Sequence, residues 1–150
     1  LSSAPADRRL RITVKRHADG LVSNALHDRV AVGDVLELSA PSGSFVLPKP
    51  VPEKVLMLYA GSGITPLLSM LRDLRHRAAD RDVVFVHVCR SSADAILAAE
   101  LRTLAKSMPA LHLVTHVTSE RGRLDARPGG GLRSTWRRSC PRRARRPGRC

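Results

Sequence analysis

Aromatic residues are nearly missing from this chain: one Trp, one Tyr and two Phe among 150 residues. Single-stranded nucleic acid is gripped by rows of aromatic side chains, so their scarcity argues against a base-stacking surface. Cysteine is scarce too. Cys89, Cys140 and Cys150 make neither an even disulfide set nor a Cys-x-x-Cys pair, which fits a reducing, cytoplasmic setting. No apolar run approaches the ~20 residues of a membrane-spanning helix. The uncharged stretch 55–71 is broken by Gly61, Gly63 and Pro66, and no span is expected there. The sequence opens on Leu with no visible signal peptide, which reads as a start inside a longer protein. Acidic residues stop at Asp125, whereas nine of the 26 Lys and Arg lie beyond it. The tail thus carries +9 of the formal +13, and residues 1–126 carry only +4. The basicity belongs to the tail and does not mark the rest as a nucleic-acid binder.

What remains is a patterned chain of two kinds. Leu10, Ile12 and Val14 alternate with polar neighbours, as do residues from Val35 to Leu38, and a third short strand is predicted over Phe45–Leu47. Turns fall at Asp19-Gly20, Gly33-Asp34 and Pro41-Ser-Gly43. A short helix over Val22–Asp28 is predicted, with Ser23 placed to cap it. This stretch reads as part of a small β-barrel. Pro48, Pro50 and Pro52 then form a linker. Beyond it the period changes. Strands are predicted at 55–60, 83–88 and 111–117, with helices at 66–78 and 93–106 between them. Apolar strands alternating with helices argue for a parallel sheet covered on both faces.

The glycine turn Gly61-Ser-Gly-Ile-Thr-Pro66 joins the first of these strands to its helix. A helix N-terminus offers unpaired N–H groups and positive dipole charge, and glycines let a phosphate approach the backbone. Thr65 suits an N-cap and Pro66 the first helical position. The functional reading is a pyrophosphate cradle; the plain alternative is a structural turn. Pro66 replaces the third glycine of the ordinary dinucleotide fingerprint, and no acidic residue ends the second strand. Arg90 stands there instead, followed by Ser91. A guanidinium at a strand's carboxyl end can grip a 2′-phosphate, favouring NADPH over NADH, although an exposed arginine before a serine-capped helix reads as well. Gly20-Leu-Val-Ser-Asn24 is a second candidate anion site, with the same helix-cap alternative. The six histidines, His17, His27, His76, His87, His112 and His116, lack metal-ligand spacing. They are expected to be surface or satisfied residues, and no metal site is expected.

Taken in order, Leu1-Ser-Ser-Ala-Pro5, Ile12-Thr-Val-Lys-Arg16, Gly20–Asp28, Gly33-Asp34, Pro41-Ser-Gly-Ser-Phe45 and Gly61–Pro66 resemble the ferredoxin–NADP reductase superfamily. The likeness is greatest to bacterial reductases fused to a 2Fe-2S ferredoxin domain and to the reductase module of flavohaemoglobins, and it covers about residues 1–126. The resemblance implies the C-terminal part of an antiparallel FAD-binding β-barrel over 1–50, followed by an incomplete parallel α/β NADP-binding domain over 51–126. It implies FAD pyrophosphate contacts at Gly20, Val22, Ser23 and Asn24, with Val14 and Lys15 along the flavin or adenine. Gly61, Gly63, Ile64, Thr65 and Pro66 would meet the NADPH pyrophosphate and nicotinamide. Thr65 would serve the catalytic contact with the flavin. Arg90 and Ser91 would meet the adenosine 2′-phosphate. The implied activity is a flavin-dependent reductase taking hydride from NADPH, with NADH as the alternative donor. Single electrons would then pass to a ferredoxin-like iron–sulfur or haem acceptor, which can be fused in the parent protein.

The chain departs from that pattern at both ends. The family's Arg-x-Tyr-Ser motif and its later Cys-Gly-Pro segment do not appear, and Cys140 and Cys150 cannot make a plant-type cluster. The expectation is a fragment with impaired activity, any 2Fe-2S centre belonging to a missing C-terminal part. Residues 127–150 lack acids and hydrophobic period and are expected to be disordered. Their GC-codon-rich composition reads as a shifted reading frame. The rival reading makes this tail the nucleic-acid-binding arm of a nucleotide-fold scaffold, held by salt-sensitive phosphate contacts.

Overall fold

β-branched and long apolar residues crowd three short runs of the chain, and these runs make its sheet. The computed structural model describes residues 1–77 and 80–124. Strands β1 (Lys54–Ala60), β2 (Asp82–Cys89) and β3 (Leu111–Val117) lie in the order β1-β2-β3. Both pairs are parallel, with Ala60 opposite Val88 and Cys89 opposite Val117. A parallel pair needs a crossover, supplied here by helices α2 (Ile64–His76) and α3 (Ala98–Ser107). A short helix α4 (Thr118–Arg121) follows β3.

Helix α2 buries Ile64, Leu67, Leu68, Leu71 and Leu74, spaced so that they fall on one stripe. They pack on Met57 and Tyr59 of β1, Val83 and Phe85 of β2, and Leu111 of β3, with Leu101 and Leu104 of α3 completing the cluster. Fully burying each such side chain contributes about 1.5–3 kcal/mol. Arg75 and His76 in the last turn of α2 complement its dipole. Both helices cover the same sheet face, as two crossovers of like hand between sequential strands require. The other face is covered in part, since Val84 and Val86 of β2 are buried there. On that same face Leu56 and Leu58 remain half exposed.

The N-terminal stretch corrects the sequence expectation more sharply. Residues 1–53 contain one helix, α1 (Leu21–Asp28), and no strand. The runs predicted as strands at 10–14, 35–38 and 45–47 have no ladder partner among the described residues. An alternating run without a neighbouring strand has no ladder to pair its N–H and C=O groups or to bury its apolar side chains. Leu10, Val35 and Phe45 are accordingly exposed. No described helix is long and apolar enough to cross a membrane. The arginine-rich tail lies outside the described residues.

Candidate functional site

Because all three strands run the same way, their carboxyl ends share one edge, and the loops leaving that edge carry the sequence candidates. At the end of β1, Gly61 adopts φ +53°, a left-handed conformation in which a side chain would be strained. A Cβ added there would meet nothing within 4 Å, and one on Gly63 only the Cβ of Tyr59 at 3.8 Å. The turn is therefore open above its backbone. Residues 61–63 form a single 3-10 turn, and α2 begins at Ile64 with Gly63 as its N-cap. This shifts the expected roles. Thr65 is the second helical residue rather than the cap, and its hydroxyl donates back to the Ser62 carbonyl at 3.4 Å. Pro66 is the third, where its missing N–H costs nothing because first-turn amides lack helical acceptors.

At the end of β2, the Arg90 carbonyl accepts from the Ser119 N–H at 3.1 Å, tying this edge to α4. The Arg90 side chain is exposed. Ser91 caps a short turn over Ser92–Asp94, and its hydroxyl donates to the Asp94 carboxylate at 2.8 Å. That hydrogen bond, reinforced by the Ser91 N–H and the charges of Lys15 and Arg90, holds the Asp94 carboxyl below the usual range. Asp94 is thus ionised at neutral pH beside two cations.

A cleft of about 300 Å³ joins these parts: Thr13, Val14 and Lys15 on one wall, Ser62 at the glycine turn, and Asp94 and Ile96 beyond β2. It brings the Val14–Lys15 candidates against Ser62 of the glycine turn and residues 93–96 beyond Arg90, whereas Gly61, Gly63, Thr65, Arg90 and Ser91 do not line it. Sequence reasoning singles out neither Asp94 nor Ser62. The first is signalled by Ser91-x-x-Asp94, a serine followed three residues later by an acid, which is a local capping pattern.

The Gly20–Asn24 candidates lie elsewhere, at a second cleft of about 350 Å³ lined by Asp19, Gly20, Leu21, Asn24, Asp28 and Arg29. A Cβ on Gly20 would sit 2.3 Å from the Ser23 Oγ and 3.3 Å from the His17 carbonyl oxygen, so the Ser23 hydroxyl would have to turn away. Ser23 is inside α1 rather than its cap. Its hydroxyl accepts from the His17 N–H at 3.2 Å and donates to the Gly20 carbonyl at 3.3 Å, so its proton is already engaged. The Asn24 amide donates to the Ala18 carbonyl at 3.1 Å, and Val22 is largely exposed. Arg16 grips both oxygens of Asp28, at 2.9 and 2.5 Å, and Asn24 at 3.1 Å. This pairing holds the Asp28 carboxyl down and the Arg16 guanidinium up. His27 Nε2 lies 3.0 Å from the Val14 carbonyl. Together these contacts fasten α1 to the strip that carries Lys15.

One histidine departs from expectation. His87 is buried, stacked on Tyr59 with ring centroids 4.5 Å apart, and its Nε2 has no hydrogen-bond partner. Burial lowers its pKa and raises those of the Tyr59 hydroxyl and the Cys89 thiol. His76 and His112 face the carboxylates of Asp7 and Asp82, and His116 the Gly122 carbonyl. Among the described residues no group of three or more His, Cys, Asp or Glu could hold a metal ion.

Residues 57–130 match the family described as the oxidoreductase NAD-binding domain. The chain is 42% identical over 141 residues to an NADPH oxidoreductase of Mycobacterium tuberculosis, covering 91% of this chain and 37% of that protein. It is 41% identical over 122 residues to the glycine betaine monooxygenase reductase subunit of Chromohalobacter salexigens, covering 81% and 33%. The flavohem-like FAD/NAD-binding domain of nitric oxide dioxygenase from Vibrio cholerae superposes with a TM-score of 0.68 at 34% identity, over 78% of this chain and 49% of that one. The chain spans about a third of the length of the curated relatives it matches. Strand, open glycine turn, helix and a basic loop on one sheet edge agree with these likenesses: the chain carries an oxidoreductase NAD-binding domain of the ferredoxin–NADP reductase superfamily.

Proposed function

We propose that the chain is the NADPH-binding part of a flavin-dependent electron-transfer reductase. The observation that carries this reading is the cleft at the carboxyl edge, where Ser62 of the open glycine turn, the Thr13–Lys15 strip and residues 93–96 of the loop after β2 meet. Ligands of open α/β sheets gather at such an edge.

The residues fit a dinucleotide phosphate. Gly61 and Gly63 leave the backbone open for a pyrophosphate, and the first-turn amides of α2 point their dipole at it. Arg90 supplies a fork for a 2′-phosphate, with Lys15 adding charge at the neighbouring wall. Ser91 orients the Asp94 carboxylate through its hydroxyl, and Asp94 in turn sets the field around Arg90. Thr65 and Pro66 close the first turn of α2, and we assign Thr65 to the side facing the flavin. For FAD, the Ser23 and Asn24 side chains are already engaged, so main-chain amides at the start of α1 are the groups left for its pyrophosphate.

Bound here, NADPH and FAD would supply hydride and single-electron chemistry toward a haem or iron–sulfur acceptor. This chain's part is to bind, orient and align. Residues 1–50 are read as barrel-derived and 51–126 as the nucleotide domain, in a cytoplasmic protein. The visible spectrum of the purified chain with added FAD and NADPH tests the reading. A bound-flavin spectrum that bleaches with NADPH supports a working reductase. NADPH binding without flavin binding limits the chain to the nucleotide site, and binding of neither contradicts the proposal.

A further inference from the structure

Ser2, Ser3 and Ala4 are buried, at 0%, 4% and 3% exposure, yet no residue from Pro5 to Leu56 is. Such burial needs partners for every main-chain group. Ser2 N and Oγ donate to the Arg11 carbonyl at 2.8 and 3.1 Å, and Arg11 N donates to Ser3 Oγ at 3.1 Å. The Ala4 carbonyl accepts from Asp7 N at 3.0 Å, and the Ser2 and Ser3 carbonyls are satisfied from α2. Arg72 donates to the Ser2 carbonyl, and Ser69 Oγ donates to the Ser3 carbonyl at 2.6 Å. One turn further, His76 Nε2 lies 2.9 Å from Asp7, whose other oxygen accepts from Ala4 N at 2.8 Å.

Ser69, Arg72 and His76 are spaced three and four residues apart and so form one polar stripe along α2. The leucines of the same helix face the sheet. Arg72 itself is buried, and its guanidinium also pairs with Glu100 of α3. Glu100 lies 4.0 Å from Arg11 as well. The clasp continues toward the cleft. Thr13 Oγ1 donates to Ser2 Oγ at 3.1 Å, and Thr13, Val14 and Lys15 are the cleft wall that faces Ser62. One rigid helix therefore carries the glycine turn at its start and grips the opposite wall along its side.

We propose that Arg72, with Ser69 and Glu100, is a positioning residue that fixes the Thr13–Lys15 wall against the glycine turn and so sets the width of the dinucleotide cleft. The cofactor half of this proposal rests on the NADPH reading above. Arg72 touches no ligand; it acts through Ser2 and Thr13.

The test uses the full chain as Arg72→Met, Arg72→Lys and Ser69→Ala, with amide hydrogen exchange and NADPH titration on each. Losing hydrogen bonds to a charged group predicts about tenfold or faster exchange at Ser2 and Arg11 in Arg72→Met, with the amides of β1–β3 still protected. NADPH affinity falls several-fold in the same variant, and Arg72→Lys, which keeps the charge but loses the fork, lies between. Ser69→Ala removes one bond and moves both readouts in the same direction by less. This keeps the test decisive should Arg72→Met fail to fold. Equal loosening of the sheet and of residues 2–15 overturns the proposal, because Arg72 then only stabilises the fold. Unchanged exchange at residues 2–15, or loosened exchange with unchanged NADPH affinity, overturns it too. A wild-type chain that binds no NADPH sinks the functional reading and the cofactor half with it. The exchange pattern then still upholds or overturns the clasp.

Discussion

Val83 and Val35 both stand in runs read from sequence as strands, the first almost continuously apolar and the second alternating with polar residues. In the structure the first is 0% exposed and the second 96%. The difference lies in their partners. Val83 has a strand on either side and two helices over its face, all supplied by residues 54–117. Val35 belongs to a stretch whose predicted strands find no neighbour among the described residues. A parallel βα unit closes its own ladder and core, whereas a barrel strand is stable only inside its sheet. The N-terminal half is held instead at particular points: the Ser2–Ala4 clasp on α2, the Arg16–Asp28 pair, and the His27–Val14 contact.

That contrast can be broken by substitution, and stability gives the largest expected effect. Leu71→Ala, at a fully buried site, should cost about 2–5 kcal/mol in urea unfolding. Val35→Ala should stay within about 0.5 kcal/mol. Similar losses at both sites would mean that the N-terminal stretch packs as a core after all. Next comes the basic edge. Arg90→Glu should weaken NADPH binding about 10- to 100-fold in a fluorescence titration, as expected for losing a charge-assisted hydrogen bond, while NADH binding changes little. Equal losses for the two nucleotides would remove Arg90 from the 2′-phosphate. A smaller effect is expected at the turn, where Gly61→Ala forces a side chain into a left-handed backbone. About 1–2 kcal/mol of stability should be lost, together with NADPH affinity.

The smallest effect is a slope. Burial holds the folded pKa of His87 below its ordinary 6.5. Between pH 6.5 and that lower value, the unfolded chain takes up a proton that the folded chain refuses. Stability should therefore fall as pH drops through that window, and His87 should contribute no slope above it. In His87→Phe the urea midpoint should depend less on pH below 6.5 than in the parent chain. An unchanged slope would show that His87 titrates normally.

Much of the α/β half was legible. The predicted strand 111–117 coincides with β3, and 55–60 falls one residue short of β1. The helix predicted at 66–78 begins at Ile64, because the 3-10 turn at 61–63 feeds the helix directly and Gly63 takes the cap. The helix predicted over 93–106 is split. Asp94 captures Ser91, Leu97 turns to φ +56°, and α3 starts only at Ala98. Side chains that bond the local backbone compete with helix in a way that periodicity does not register. The cleft was legible in its parts but not as a whole. Nothing in the spacing of Lys15, Ser62 and Asp94 reveals that they meet, because the sheet edge and the Ser2–Arg11 bonds bring them together. The clasp was equally hidden. Ser69, Arg72 and His76 look like an ordinary solvated stripe until residues 2–4 lie on it.

The central claim, that the dinucleotide binds at the carboxyl edge of the sheet, is tested most directly by titrating NADPH into isotope-labelled chain and following amide chemical shifts. The account predicts the largest changes at Gly61–Thr65 and Arg90–Asp94, with a second set at Thr13–Lys15. Changes concentrated at the opposite edge, around Lys54, Asp82 and Leu111, or none at saturating nucleotide, would contradict it.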